Sequence, residues 1–333
     1  MKTGIATSLF ALGLASVGAA APDFSFELRA SQRENGVRAA AVTVAGHKDV
    51  LPDGSSAVRA GAATPDGKYV LFVHGLARYK LPVTQLEQGW VNSSAISVYD
   101  AATGSRINTV SLDDPENGAA NPRAIAISDK WIAVAHFGTH EISIIDRAAF
   151  FDKLAALRGD GVTDLAFMQG IRRRIRLKCK GPEKLAFLPD GRIAVQMRYA
   201  EAVAYVDPVT GKVEEPDLPG GVSEAVAKDQ KRLGEMFFND ASICYQQWHS
   251  CASCHVDGRN DGLAWDFQTS GGGLGHPEET MDLTTLKELQ ADSVVGSYRG
   301  DHRHEPSANR VRATEAYIRS LFQGNATKQG RSL

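Results

Sequence analysis

TPDGKYVLFVHG (64–75), ISDKWIAVAHFG (127–138) and LPDGRIAVQMRY (188–199) are three versions of one phrase. Each places an aspartate turn (Asp66, Asp129, Asp190) before a short run of Val, Ile, Ala and aromatic residues, the composition of a β-strand. A second phrase follows each: AISVYDAATGSRI (95–107), EISIIDRAAF (141–150) and AVAYVDPVTGKV (202–213), closed by Asp100, Asp146 and Asp207. A strand–turn–strand unit recurring at intervals above about forty residues is the sequence sign of a β-propeller blade or a related array. A β-sandwich is the competing all-β solution, but it does not require paired phrases. The spacer 151–180 is expected to hold a short helix inserted between blades. The basic run RRRIRLK (172–178) offers either a docking face for an acidic redox partner or an exposed strand. His74, His136 and His140 fall inside blade phrases and read as structural.

Working outward, the chain has 333 residues, a length that suits about two domains. Hydrophobic residues make up 43% and charged residues 23%, which excludes a disordered or collagen-like chain. Lys and Arg number 37 against 39 Asp and Glu, so no global charge footprint for nucleic acid or an anionic membrane exists. Residues 1–21, MKTGIATSLFALGLASVGAAA, have the layout of a signal peptide: Lys2, an apolar run from Ile5 to Val17, then small residues from Gly18 to Ala21. Cleavage near Ala20 would deliver an exported chain with no membrane span, and a bacterial periplasm is the expected compartment. From about residue 223 the texture becomes helical. EAVAKDQKRLGEMFFND (224–240) can share Ala225, Leu233, Met236 and Phe237 on one face. TTLKELQ (284–290) and ATEAYIRSLFQ (313–323) are expected to be helices, and 324–333 a tail.

The chemistry concentrates in CASCH, Cys251 to His255. C-x-x-C-H is the attachment signature of c-type haem. Two thiols add to the two haem vinyl groups, and the adjacent histidine reaches the iron as proximal ligand. A zinc site would need Cys244 or His249 to complete the ligand set, and a redox dithiol would need a βαβ context. The sixth iron position is open to Met281, favoured as a thioether after the glycine-rich stretch 270–275, or to His276, His302 or His304. Cys179 and Cys244 remain, either as a disulfide stapling the two halves or as buried thiols.

Residues of about 55–215 resemble the YVTN-type β-propeller family, whose blades carry an sPDGk.lyVa phrase followed by VsViD..tg. A seven-bladed ring needs about 300 residues, so the resemblance implies a small or incomplete propeller of about four blades, or one completed by a partner chain. LGEMFFNDASICYQQWHSCASCHVDGRNDGLAWDF (233–267) resembles the cytochrome c domain fused to such propellers in exported bacterial proteins. That domain is related to the dihaem cytochrome c peroxidase and methylamine-utilisation oxidase superfamily. The family phrase pDGr.DGl.WD is matched by Asp257, Gly258, Arg259, Asp261, Gly262, Trp265 and Asp266. SYRGDHRH (297–304) resembles its hWRGDr phrase, with Ser297 where the family has histidine. Gly234 and Phe238 on one helix, facing Tyr317 and Leu321 on the last, fit the packing of class I cytochromes c.

The resemblance implies a multidomain chain: signal peptide 1–21, an all-β propeller-like repeat domain at 36–222, a mainly α cytochrome c-like domain at 223–323, and the tail. It implies one covalent haem c held by Cys251 and Cys254, with His255 on the iron. Arg259 would meet a propionate, or pair with Asp257 or Asp261. Trp265 would pack on the haem, or fill a core together with Trp248. The expected function is electron transfer to or from a periplasmic redox protein. The alternatives are peroxidase- or oxidase-like catalysis and ligand binding by the propeller.

Overall fold

The computed structural model describes residues 22–34, 36–81, 91–266, 275–290, 292–300, 302 and 304–329. The expected signal peptide and most of the glycine-rich stretch lie outside them. Strand β1 (Phe24–Phe26) precedes a hairpin of β2 (Gln32–Glu34) and β3 (Val37–Ala39), then a hairpin of β4 (Ala41–Val44) and β5 (His47–Val50). β1, β4 and β5 form a three-stranded sheet in the order β1-β4-β5. β1 therefore extends the sheet region to residues before 36.

The repeated phrases each build a four-stranded antiparallel meander. The first is β6 (Ser55–Ala63), β7 (Tyr69–Ala77), β8 (Asn92–Asp100) and β9 (Arg106–Ser111). The second is β10 (Pro122–Ile127), β11 (Trp131–His136), β12 (Glu141–Asp146) and β13 (Arg172–Arg176). The third is β14 (Pro182–Phe187), β15 (Ile193–Met197), β16 (Ala202–Val206) and β17 (Val213–Glu214). The first strands pack on one another, β10 lying against both β6 and β14. Sheets that meet along their first strands are arranged as propeller blades are.

Period-two alternation explains the stacking, because successive side chains leave opposite faces of a strand. On β7, Val70 and Phe72 join the cluster with Val42, Val44 and Leu51, whereas Leu71 and Val73 join Ile132 and Val134 of the next sheet. On β11 the pattern repeats: Ile132 and Val134 face back, and Ala133 and Ala135 face Val195 and Met197. Both faces of each inner sheet are thus buried, and each buried Val, Leu, Ile, Phe or Met side chain contributes about 1.5–3 kcal/mol.

Between β12 and β13 runs helix α1 (Arg147–Ala156), which overlaps the start of the spacer where a helix is expected; Phe150 and Leu154 bury against the first and second sheets' shared core. The basic run forms β13 and the residues just after it, and part of its charge is paired within the fold. Arg172 pairs with Asp114, and Arg174 with Asp114 at 3.1 Å and the buried Glu141 at 2.6 Å. Arg172 and Arg174 thus spend their charge on internal carboxylates, which suit guanidinium forks, whereas Arg173, Arg176 and Lys178 are exposed.

The C-terminal part holds α2 (Glu224–Lys228), α3 (Gln230–Asn239), the short α4 (Cys251–Cys254), a two-stranded ribbon of β18 (Ala264–Trp265) and β19 (Glu278–Glu279), α5 (Ser293–Gly300) and α6 (Ala308–Gln329). Helices α3 and α6 cross at Gly234, where a Cβ would lie 1.8 Å from the Ala313 carbonyl oxygen. Phe238 and Tyr317 meet one turn further on, with ring centroids 5.2 Å apart. TTLKELQ is not a helix. Asp282 caps a single 3-10 turn, Leu283–Thr285, and Leu286 is extended. Leu283, Leu286 and Leu289 then turn toward Tyr298 and Ile318, so tertiary burial sets this backbone. Among the described residues no helix is long and apolar enough to cross a membrane.

Candidate functional site

Helix α4 is too short to hold itself and is fixed from outside. Ser250 precedes it, and the Ser250 amide donates to Ser253 Oγ at 3.0 Å. Asn121, in the loop before β10, clamps both serines. Its Nδ2 donates to Ser250 Oγ at 2.7 Å, and its Oδ1 accepts from Ser253 Oγ at 2.7 Å. Asn121 has φ 56°, a left-handed conformation that asparagine tolerates.

Every such clamp comes from one end of the sheets. Ser56 of β6 donates to the Asp261 carbonyl at 2.6 Å, and Arg59 pairs with Asp257 at 2.8 Å. Asn92 of β8 donates to Cys254 Sγ at 3.8 Å. The Gly118 amide donates to the Gln246 carbonyl at 2.7 Å. The site is therefore an outgrowth of the end where β7, β11 and β15 finish.

His255 follows α4 directly. Its Nδ1 lies 3.1 Å from the Arg259 carbonyl oxygen and 3.0 Å from the Met281 carbonyl oxygen. Carbonyls only accept, so Nδ1 carries a proton, and in the neutral form of this tautomer the lone pair lies at Nε2. That is the usual way an imidazole is oriented as a metal ligand. The turn at 256–259 is pressed under α6: a Cβ on Gly258 would meet Leu321 at 2.5 Å.

Cys251 and His255 both line a cavity of about 430 Å³. Its walls are mostly apolar, with Phe238, Leu283, Leu286, Val294 and Ile318 among them. Cys254 is partly exposed and packs on the opposite side, against the cluster of Tyr79, Val91, Leu263 and Trp265.

The other sequence candidates separate. Met281 lines the cavity, is 58% exposed, and meets His255 through its carbonyl. Ser297 also lines the cavity, whereas His276, His302 and His304 do not. Arg259 pairs with neither Asp257 nor Asp261 but with Asp282, at 3.7 Å. Trp265 is buried away from the cavity and donates to Asp261 Oδ2 at 2.8 Å. Trp248 is buried as well and does not line the cavity. Cys179 and Cys244 are not joined in a disulfide, so the structure does not show the possible staple between the halves. Cys179 lies in the sheet core near the Pro216 carbonyl, and Cys244 lies 3.3 Å from His249 Nδ1.

Sequence reasoning missed Asp261 as the pivot of the loop after the motif. Its carboxylate accepts from the Leu263 amide, Thr280 Oγ1 and Trp265 Nε1 at 2.8–3.0 Å. Burial pushes its pKa up to about 6 against the pull of those donors. It missed Asn121 too, since nothing local links that residue to serines about 130 positions away. The only signal available was the Asp-x-x-x-Trp spacing at 261–265.

No protein-family model matches this sequence. Hydrazine synthase subunit beta of Kuenenia stuttgartiensis is 27% identical over 155 residues, covering 44% of this chain and 39% of that protein. Hydrazine synthase subunit gamma of the same organism is 30% identical over 118 residues, covering 28% of this chain and 33% of that protein. The chain thus spans between about a third and two-fifths of the curated relatives it matches. Among solved structures, Kuenenia stuttgartiensis hydrazine synthase aligns with a TM-score of 0.49 at 20% identity, over 57% of this chain and 56% of that chain. Virginiamycin B lyase of Staphylococcus aureus aligns with a TM-score of 0.34 at 13% identity, over 60% of each chain.

Proposed function

We propose that this chain is an exported c-type cytochrome that passes electrons to or from a periplasmic redox protein, with the propeller-like sheets as docking scaffold. The observation that carries the reading is the His255 imidazole, held by two carbonyls beside an apolar cavity that it shares with Cys251. Cys251 and Cys254 would hold one haem through thioether bonds, and His255 would ligate the iron. The haem would supply one-electron redox chemistry. This chain's own residues orient the imidazole, exclude water through Phe238 and the leucines of 283–289, and anchor the motif to the sheets through Asn121. The two curated relatives are named as subunits, which supports association with a further chain, and such a chain would also serve to complete the propeller.

A peroxidase-like activity at an open sixth position is the second reading. One observation favours it: Met281 engages Nδ1, the nitrogen turned away from Nε2, through its own main chain. An optical spectrum of the exported protein separates the two. Low-spin haem with a methionine-to-iron band supports electron transfer and Met281 as ligand, whereas a high-spin, peroxide-reactive haem supports catalysis. The cytochrome reading itself requires that Cys251→Ala with Cys254→Ala abolish covalent haem staining. Staining that survived the double change would overturn it.

A further inference from the structure

Behind Cys251, away from the cavity, three metal-ligating side chains converge. Cys244, His249 and His302 are all buried, and one ligand atom from each lies within 4.8 Å of the other two. Cys244 Sγ is 3.3 Å from Nδ1 and 3.5 Å from Nε2 of His249. The His249 and His302 rings stack with centroids 5.0 Å apart. His302 sets its Nε2 3.3 Å from Cys251 Sγ, while its Nδ1 is buried and has no hydrogen-bond partner among the described residues. A buried polar nitrogen left unpaired is costly, and such a group calls for an occupant. Burial, then the neighbouring histidines, hold His302 well below its ordinary pKa, so the ring is neutral and competent to ligate.

We propose that Cys244, His249 and His302 form a binding site for a thiophilic divalent transition-metal ion of the zinc–copper class. Tetrahedral bonds of about 2.3 Å to sulfur and 2.0–2.1 Å to nitrogen place those two atoms about 3.5 Å apart, close to the Cys244–His249 separation already present. Binding forms one metal–sulfur and two metal–nitrogen bonds and releases the Cys244 thiol proton to solvent. An imidazole that ligates in its neutral form releases none, and no oxidant or reductant is needed. Two nitrogens and one thiolate suit both Zn²⁺ and Cu²⁺. None of the three ligands is Cys251, Cys254 or His255, although His302 Nε2 borders Cys251 Sγ.

The test titrates the exported full-length chain with Zn²⁺, Cu²⁺ and, as a spectroscopic probe, Co²⁺. The expected result is one ion per chain, about one proton released, and a thiolate-to-cobalt band with tetrahedral visible absorption. Zn²⁺ and Cu²⁺ competing for the bound Co²⁺ rank the two sources, and a strong visible thiolate–copper band marks copper. Cys244→Ser and His302→Gln should each weaken binding by about 100-fold or more. Cys179→Ser, and Cys251→Ala with Cys254→Ala, should leave it within about threefold; retention in the latter keeps the site distinct from any failure of the haem reading. No stoichiometric uptake, uptake without a thiolate band, or full binding in Cys244→Ser would overturn the proposal and leave a buried Cys–His hydrogen bond. Should His302→Gln fail to fold, the cobalt spectrum of the unaltered chain decides by itself.

Discussion

Asn121 carries a larger share of the site than its position in the sequence suggests. Two hydrogen bonds of 2.7 Å tie it to the serines that start and end the turn of α4. Asn121→Ala removes both and places alanine at a left-handed φ. The expected loss is about 1–3 kcal/mol for the unpaired polar groups, plus about 1 kcal/mol of backbone strain. Asn121→Gly removes the hydrogen bonds without the strain. Urea denaturation of both variants should therefore rank wild type above Gly above Ala, with covalent haem loading falling in the same order. Equal stability of all three would show that α4 does not depend on this clamp.

At the scale of elements, the three meanders repeat side-chain pairs as well as strands. His74 on β7 contacts Ser97 on β8 at 2.9 Å, and His136 on β11 contacts Ser143 on β12 at 2.7 Å. At the same places the third sheet has Met197 and Ala204, so both members of the pair change together. Burial pushes His74 down to about 4 and His136 well below its ordinary value. Each histidine therefore binds protons more readily unfolded than folded. The stability gained from the neutral ring is complete above about pH 6.5 and is lost as pH falls toward about 4. For His74 the full swing is on the order of 3 kcal/mol. Asp113 and Asp261, both raised to about 6 by burial, act in the opposite sense: their contribution is complete below about 3.8 and fades as pH rises through about 6. His74→Met with Ser97→Ala copies the third sheet's own pair. Melting temperature followed from pH 7.5 to 4.5 should fall less steeply in this variant than in wild type. Parallel curves would mean that His74 is not held neutral.

Across the whole molecule, sheets and helices share cores. Phe137 and Tyr199 at the ends of β11 and β15 pack with Val226, Leu233, Met236 and Ala313. Ala30, Ala77 and Tyr79 pack with Leu263 and Trp265. Buried His140 of the second sheet lies 3.3 Å from buried Asp240 after α3, and Arg310 of α6 reaches the same carboxylate at 3.4 Å. Burial works against the ionised Asp240, yet His140, Ser242 and Arg310 prevail and hold it below the usual carboxylate range. Each half has cores of its own, and these two further clusters join them. Far-UV circular dichroism and tryptophan fluorescence should therefore report one coincident denaturant transition for the full chain. Two separated transitions would show that the halves are independent domains.

The repeated phrases by themselves determined the β-meanders. Alternating apolar residues and aspartate turns are local signals, and both faces of a strand can be read from a period of two. CASCH is likewise a local signal, and it singles out the segment to which we propose the haem attaches. What only the tertiary structure decided involves partners far apart in the chain. The non-helical course of 286–290 goes with three leucines, Leu283, Leu286 and Leu289, that share one core, overriding local helix propensity. Arg172 and Arg174 of β13 found Asp114 and the buried Glu141. Asn121 reached the serines of α4, and His302 joined Cys244 and His249, across more than fifty residues in each case. Sequence periodicity records which face of an element is buried; contacts between distant side chains leave no period, and only the folded chain brings them within bonding distance.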